Sequence, residues 1–148
     1  MPIRNATAVW EGGLRDGQGH IALGSGAFEG AYSFAGRFEN GSGTNPEELI
    51  GAAHAGCFSM ALALMLEKAG FRPQRIESAA KVHIDKVGEG FKITRIDLTT
   101  DATVPGIDEQ SFRRYAEDAK NNCPVSQALA GTQIQLQATL SGASAAAR

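Results

Sequence analysis

Apolar positions recur along this chain with two different periods, and one stretch breaks both. Thr7–Glu11, Gly19–Leu23 and Ala31–Phe38 are short runs between Gly-rich turns, which predicts three strands in an antiparallel meander. In the third run Tyr32, Phe34 and Phe38 share a side, and Arg37 takes the opposite face. Ile76–Val87 and Phe91–Thr100 alternate around Gly88-Glu89-Gly90 and predict a hairpin, with a phase change near Arg95–Ile96 that predicts a bulge. In Asp108–Lys120, Phe112, Tyr115, Ala116 and Ala119 fall on one helical stripe, and Val125–Ala130 predicts another turn or two of helix. Gln133–Leu140 alternates again and predicts a last strand with Ile134, Leu136, Ala138 and Leu140 inward.

The exception is Asn45–Gly70. Asn45 supplies an N-cap, Pro46 the first helical position, Glu48 the third, and Gly70 the stop. Pro46 to Ala69 would make a helix of roughly 36 Å. Between Leu49 and Leu66 its only polar side chains are His54, Cys57 and Ser59. A helix with no polar face must be covered on every side. A membrane span is one reading of such a run; its Gly- and Ala-rich first half and its histidine favour a central helix of a soluble protein instead. The order β-β-β-α-β-β-α-β is α+β with antiparallel sheet. One sheet cannot cover such a helix, so two copies with their helices back to back, enclosed by two sheets, are expected: a homodimer.

Length predicts one domain over residues 1–148, with 141–148 a frayed tail. Net charge is -2 with no basic stripe, which argues against a nucleic-acid binder. The first residues lack an apolar signal-peptide core, so a cytoplasmic location is expected, where structural disulfides are rare. The two cysteines, Cys57 and Cys123, are then either inert thiols or a redox pair; with three scattered histidines they give no metal-ligand spacing.

Cys123 precedes Pro124 and a short helix, where a helix N-terminus favours a thiolate. His54 lies one turn before Cys57 and is either a core residue or an aid to the thiol. With Glu48 in the capping box, Glu47 is left free, and Arg37 among apolar neighbours needs a carboxylate or else is an exposed edge residue. Glu47 and Cys57 are ten residues apart, roughly 15 Å along one helix, so they cannot touch within a chain. If two copies cross antiparallel about Ala52, inside the Gly/Ala stretch, Glu47 of one meets Cys57 of the other. Three readings stay open: a redox enzyme, a transferase or hydrolase using Cys57 with His54 as base, and a non-enzymatic stress-induced dimer.

The stretches GTNPEELIGAAHAGCFSMALALML and NCPVSQAL, with RFE at Arg37–Glu39 and VPGID at Val104–Asp108, resemble the OsmC/Ohr family, most closely its osmotically inducible protein C branch. The resemblance runs from about Thr7 to Leu140. It implies an intertwined homodimer with two sites at the subunit interface, acting without metal or prosthetic group as a thiol peroxidase on organic hydroperoxides and, less favourably, hydrogen peroxide. By motif it makes Cys57 the peroxidatic cysteine, Cys123 the resolving cysteine, Arg37 the active-site arginine and Glu47 the carboxylate that orients it. Arg15 is the alternative arginine, in the position the Ohr branch uses. A dithiol of the lipoyl type is the implied reductant.

Overall fold

The computed structural model describes residues 1–141; the expected frayed tail from residue 142 on lies outside the described residues. Ser141 itself is tied down, its amide donating to Ala102 O at 2.9 Å and its carbonyl accepting from Thr103 Oγ1 at 3.0 Å. The chain divides into two compact units, Met1–Leu49 and the described residues from Ile50 on.

The first unit is the expected meander: β1 (Ala6–Glu11), β2 (Gln18–Leu23) and β3 (Glu29–Tyr32), paired antiparallel in that order. It ends differently from the sequence reading. Instead of a strand to Phe38, Phe34–Phe38 form a short helix, α1. Ser33 takes extended backbone as its N-cap, and its hydroxyl accepts from the Gly36 amide at 3.0 Å. That local bond competes with the strand ladder and wins. A Cβ at Gly36 would stand 2.9 Å from Ser42 O, so the turn closes only around glycine.

The predicted long helix spans both units as α2 (Pro46–Lys68). Asn45 Oδ1 accepts from the Glu48 amide at 2.7 Å and Asn45 Nδ2 reaches Glu48 Oε2 at 3.4 Å, so the capping box forms. β4 (Arg75–Val87) and β5 (Gly90–Thr103) make the predicted hairpin, turning through Gly88 at φ +63. The extra residue is Thr94 on β5, since His83 pairs with Arg95 and Ile84 with Ile93; the phase change thus comes one residue before the predicted site. It puts Ile96, Leu98, Thr100 and Ala102 on the buried face.

α3 (Glu109–Asn122) and α4 (Pro124–Ala128) follow, then β6 (Gln133–Leu140). β6 lies beside β5, but parallel to it, a correction to the all-antiparallel expectation. A helical crossover separates the two strands, and such a connection returns the chain in the same direction. The observed order is β-β-β-α-α-β-β-α-α-β, in two three-stranded sheets: an α+β fold.

The core of the second unit lies between α2, α3 and the β4–β5–β6 sheet. Phe58, Leu62 and Leu66, one residue per turn of α2, are fully buried with Leu98, Val104, Phe112, Ala116 and Ala119. The polar residues on this face are satisfied by one another: Ser59 Oγ donates to Ser78 Oγ at 2.7 Å, and Ser78 meets Thr100 Oγ1 at 2.9 Å. By length and composition α2 could cross a membrane, yet this packed stripe is that of a core helix. Its other side is open: Ala52, Ala53, Gly56, Met60 and Leu64 are exposed.

Two consequences can be measured. Leu62→Ala removes a fully buried side chain and should lower unfolding stability in urea by about 2–5 kcal/mol. Asp108 caps α3, and hydrogen bonds from the Ser111 side chain and amide hold its carboxyl below the ordinary range. A depressed folded-state pKa means the unfolded chain binds the proton more readily. The cap's contribution is therefore complete above about pH 4 and lost as pH falls through the lower folded value. Asp108→Asn, which keeps an acceptor, should remove this part of the acid dependence of the melting temperature.

Candidate active site

The residues singled out from sequence fall into two clusters, one in each unit. In the first unit the loop after α1 is stitched back to β3. The Thr44 amide donates to Ala31 O at 2.9 Å, and Gly43, at φ +90, sits where a Cβ would stand 2.6 Å from that carbonyl. Asn45 Nδ2 also donates to Gly36 O at 3.2 Å, fixing the start of α2 against α1. This framework brings Arg37 onto Glu47 in a two-pronged pair, Nε to Oε1 at 3.1 Å and Nη2 to Oε2 at 2.9 Å. The Glu47 side chain is 8% exposed and that of Arg37 39%, so the carboxylate is sunk and the guanidinium is the accessible end. A buried carboxylate requires such a partner. Arg37 is thus neither on a strand nor a free edge residue. Arg15 is placed differently, stacked over the Phe34 ring at 4.4 Å.

Arg37 also lines an apolar pocket of about 230 Å³ with Trp10, Leu14, Tyr32, Phe34 and Phe38. Its aromatic walls pack as tilted pairs, with Trp10 and Tyr32 centroids 5.3 Å apart and Phe34 and Phe38 5.1 Å apart.

The second cluster is the thiol pair. Pro124 disfavours helical backbone at the residue before it. Cys123 accordingly adopts φ -58, ψ 124 and serves both as the end of α3 and as the cap of α4. The break aims its side chain at α2, where Sγ lies 2.9 Å from Cys57 Sγ. Both thiols are free, Cys123 buried and Cys57 partly exposed. The separation is roughly 1 Å more than a bonded pair, so a disulfide needs only a small closure. Burial pushes the Cys57 thiol up, with a further push from Cys123 and a smaller opposing pull from the Val125 amide. For Cys123 burial also acts upward, but the adjoining Cys57 thiol and the polar groups of Ser126 and Val125 outweigh it and bring the thiol down.

His54 is fully buried and does not serve Cys57: its Nε2 lies 2.7 Å from Ser126 Oγ, and Nδ1 has no hydrogen-bond partner. Ser126 and the aromatic pocket are not singled out by sequence reasoning. The signal for Ser126 is its spacing, three residues after Cys123 across a proline-initiated turn. Among the described residues no group of His, Cys, Asp and Glu is placed to hold a metal ion.

Residues 39–138 match the family model for OsmC-like protein. The chain is 51% identical over 127 residues to Peroxiredoxin OsmC of Escherichia coli, covering 85% of this chain and 89% of that one. It is 30% identical over 104 residues to organic hydroperoxide resistance protein-like 2 of Staphylococcus epidermidis, covering 68% and 71%. Among solved structures, an organic hydroperoxide resistance protein from Elizabethkingia anophelis superposes with a TM-score of 0.71 at 27% identity, covering 95% of this chain and 96% of that one. An OsmC-like protein from Mycoplasma pneumoniae shares the fold, with a TM-score of 0.74 at 17% identity over 94% and 97% of the two chains. Both helical motifs that hold the sulfurs fall inside the matched region, and the chain belongs to the OsmC-like family.

Proposed function

We propose that this chain is a thiol-dependent peroxidase that reduces organic hydroperoxides, and hydrogen peroxide less well. The observation that carries the reading is the 2.9 Å approach of Cys57 and Cys123 in a chain of this family. The Cys57 thiolate attacks the outer peroxide oxygen. The O–O bond breaks, the alcohol leaves with a proton, and Cys57 holds a sulfenic acid. Cys123 then displaces the hydroxyl, giving the Cys57–Cys123 disulfide and water. A dithiol of the lipoyl type returns both thiols by exchange, its alkyl arm suited to the aromatic-lined pocket. The same apolar walls favour alkyl over small hydrophilic peroxides.

Burial raises the Cys57 thiol, so the site needs a cation to hold the sulfur as an anion. Arg37 is that cation in our reading, fixed by Glu47 so that one edge of the guanidinium is left for sulfur and peroxide oxygen. It comes from a second copy. The exposed apolar face of α2, through Ala52, Ala53, Gly56, Met60 and Leu64, supports a homodimer whose two helices cross antiparallel about Ala52. That crossing brings Glu47 of one copy to Cys57 of the other. Exposed Val9 and Leu14 give the first unit apolar surface to place in the same assembly. Two free thiols suit a reducing compartment, and we place the protein in the cytoplasm. The hydrolase alternative loses support because His54 bonds Ser126 and not the thiol.

One equivalent of an alkyl hydroperoxide should remove two thiols per chain and leave a Cys57–Cys123 link by mass spectrometry. Cys57→Ser should abolish peroxide consumption, and retained consumption would overturn the reading; a binding protein with inert thiols would not react at all. Glu47→Gln should cut kcat/KM by about a hundredfold through loss of guanidinium alignment. Met60→Asp should shift the sedimenting species to monomer and lose activity with it. A fully active monomer would remove the shared site.

A further inference from the structure

Cys57 and Cys123 are the only cysteines of the chain, and both are free. Their sulfurs lie 2.9 Å apart, with Cys57 partly exposed and Cys123 buried. Two soft donors held this close make a chelating pair, and the gap between them selects what they can chelate. Bonds of about 2.3 Å at a tetrahedral angle set two sulfurs roughly 3.8 Å apart, so zinc would have to force this pair well open. Tetrahedral zinc also needs four ligands, and among the described residues no group of three or more His, Cys, Asp or Glu is placed to hold an ion. A soft ion bound in line between two sulfurs needs them wider still, about two bond lengths apart. Trivalent arsenic is different. Its lone pair draws its three bonds into a pyramid with angles near a right angle. With bonds as long as the ~2.3 Å of zinc–sulfur, two sulfurs then stand roughly 3.3 Å apart. Of the three geometries this one asks for the smallest opening of the observed pair. An arsenic that already bears one organic group has two valences left, one for each sulfur, and needs no third thiol.

We infer that the reduced Cys57–Cys123 pair is a binding site for monosubstituted trivalent arsenicals, which it holds in a ring through both sulfurs. Each sulfur forms one bond to arsenic and gives up its proton. The arsenic–oxygen bond of an arsenoxide breaks, and its oxygen leaves with both protons as one water. Arsenic stays trivalent and neither sulfur changes oxidation level, so no oxidant or reductant takes part. Partly exposed Cys57 gives the entry point. Once one sulfur has bonded, the other is already beside it, and the ring closes as an intramolecular step. A disulfide leaves no thiol for arsenic, so only the reduced pair captures the ligand. A small dithiol that makes its own arsenic ring releases it. The ring depends on the sulfur geometry alone. That its formation also stops peroxide consumption rests on the reading of Cys57 as peroxidatic and Cys123 as resolving.

The probe is phenylarsine oxide, added to the full chain after reduction and removal of small thiols. One equivalent should remove both free thiols, and mass spectrometry should find one phenylarsenic per chain in place of two hydrogens. Binding should be about a hundredfold or more tighter than to Cys57→Ser or Cys123→Ser, which offer one sulfur each. Protein first oxidised to the disulfide with diamide should capture none, and dimercaptopropanol should return both thiols to the arsenical-bound chain. Two arsenicals per chain, or equal binding by the reduced and the oxidised protein, would rule the site out. So would folded single-serine variants that bind as tightly as the unmutated chain. The reduced-against-oxidised comparison uses unmutated protein, so it decides the matter even where a serine variant fails to fold. A chain that captures the arsenical and consumes no alkyl hydroperoxide would keep the site and lose the proposed function. A chain that consumes the peroxide and ignores the arsenical would keep the function and lose the site.

Discussion

The stripe Phe58, Leu62, Leu66 on α2 sets the position of everything reactive in the second unit. It packs on the β5 face that carries Leu98 and Ala102, and α3 closes over the same core with Phe112, Ala116 and Ala119. Cys57 stands at one end of this stripe and Cys123 at the end of α3, so burying the apolar residues is what brings the sulfurs together. No polar interaction has to find the sulfur pair. This inverts the usual division in which a rigid scaffold carries reactive loops: here both thiols ride on the hydrophobic core itself.

The same burial creates the chemical difficulty. A thiol in apolar surroundings resists ionisation, and the two sulfurs share whatever charge the pair carries. The amides and hydroxyl at the start of α4 favour the charge on Cys123. The proposed peroxide attack needs it on Cys57. A guanidinium brought to Cys57 from outside its own unit would tip the balance. The Arg37–Glu47 pair has the character such a group needs: a sunk carboxylate, a half-exposed guanidinium and an apolar pocket beside it. In the proposed homodimer one second copy would answer both the electrostatics and the exposed face of α2.

Strong periodicity was legible in the sequence and short-range competition was not. α2, α3 and the β4–β5 hairpin stand where the pattern puts them, because each buries a continuous face. Ser33–Phe38 was misread because Tyr32, Phe34 and Phe38 imitate a strand over a stretch too short to show a helical period, and one Ser33–Gly36 hydrogen bond decides the matter. The parallel pairing of β6 was hidden as well, since alternation tells which face a strand buries and nothing about its direction. At the site, the Arg37–Glu47 pair could be argued from each residue's need for the other. The nearness of Cys57 and Cys123 could not, because 66 intervening residues leave it to the tertiary fold. Ser126 escaped because a serine in a polar-looking turn gives no sign that it will be buried against a histidine.

Pro124 decides where a buried cysteine points. In the interior of a helix a cysteine is held by hydrogen bonds on both sides, and any displacement strains the ladder. Cys123 donates its amide to Ala119 O at the end of α3 and accepts from Gln127 at the start of α4, yet the residue after it has no amide to give. Its backbone is therefore anchored at two points while the peptide between them belongs to neither helix. A sulfur mounted there faces α2, 2.9 Å from its neighbour, while α3 packs on the core. Core burial supplies proximity and the helix break supplies direction.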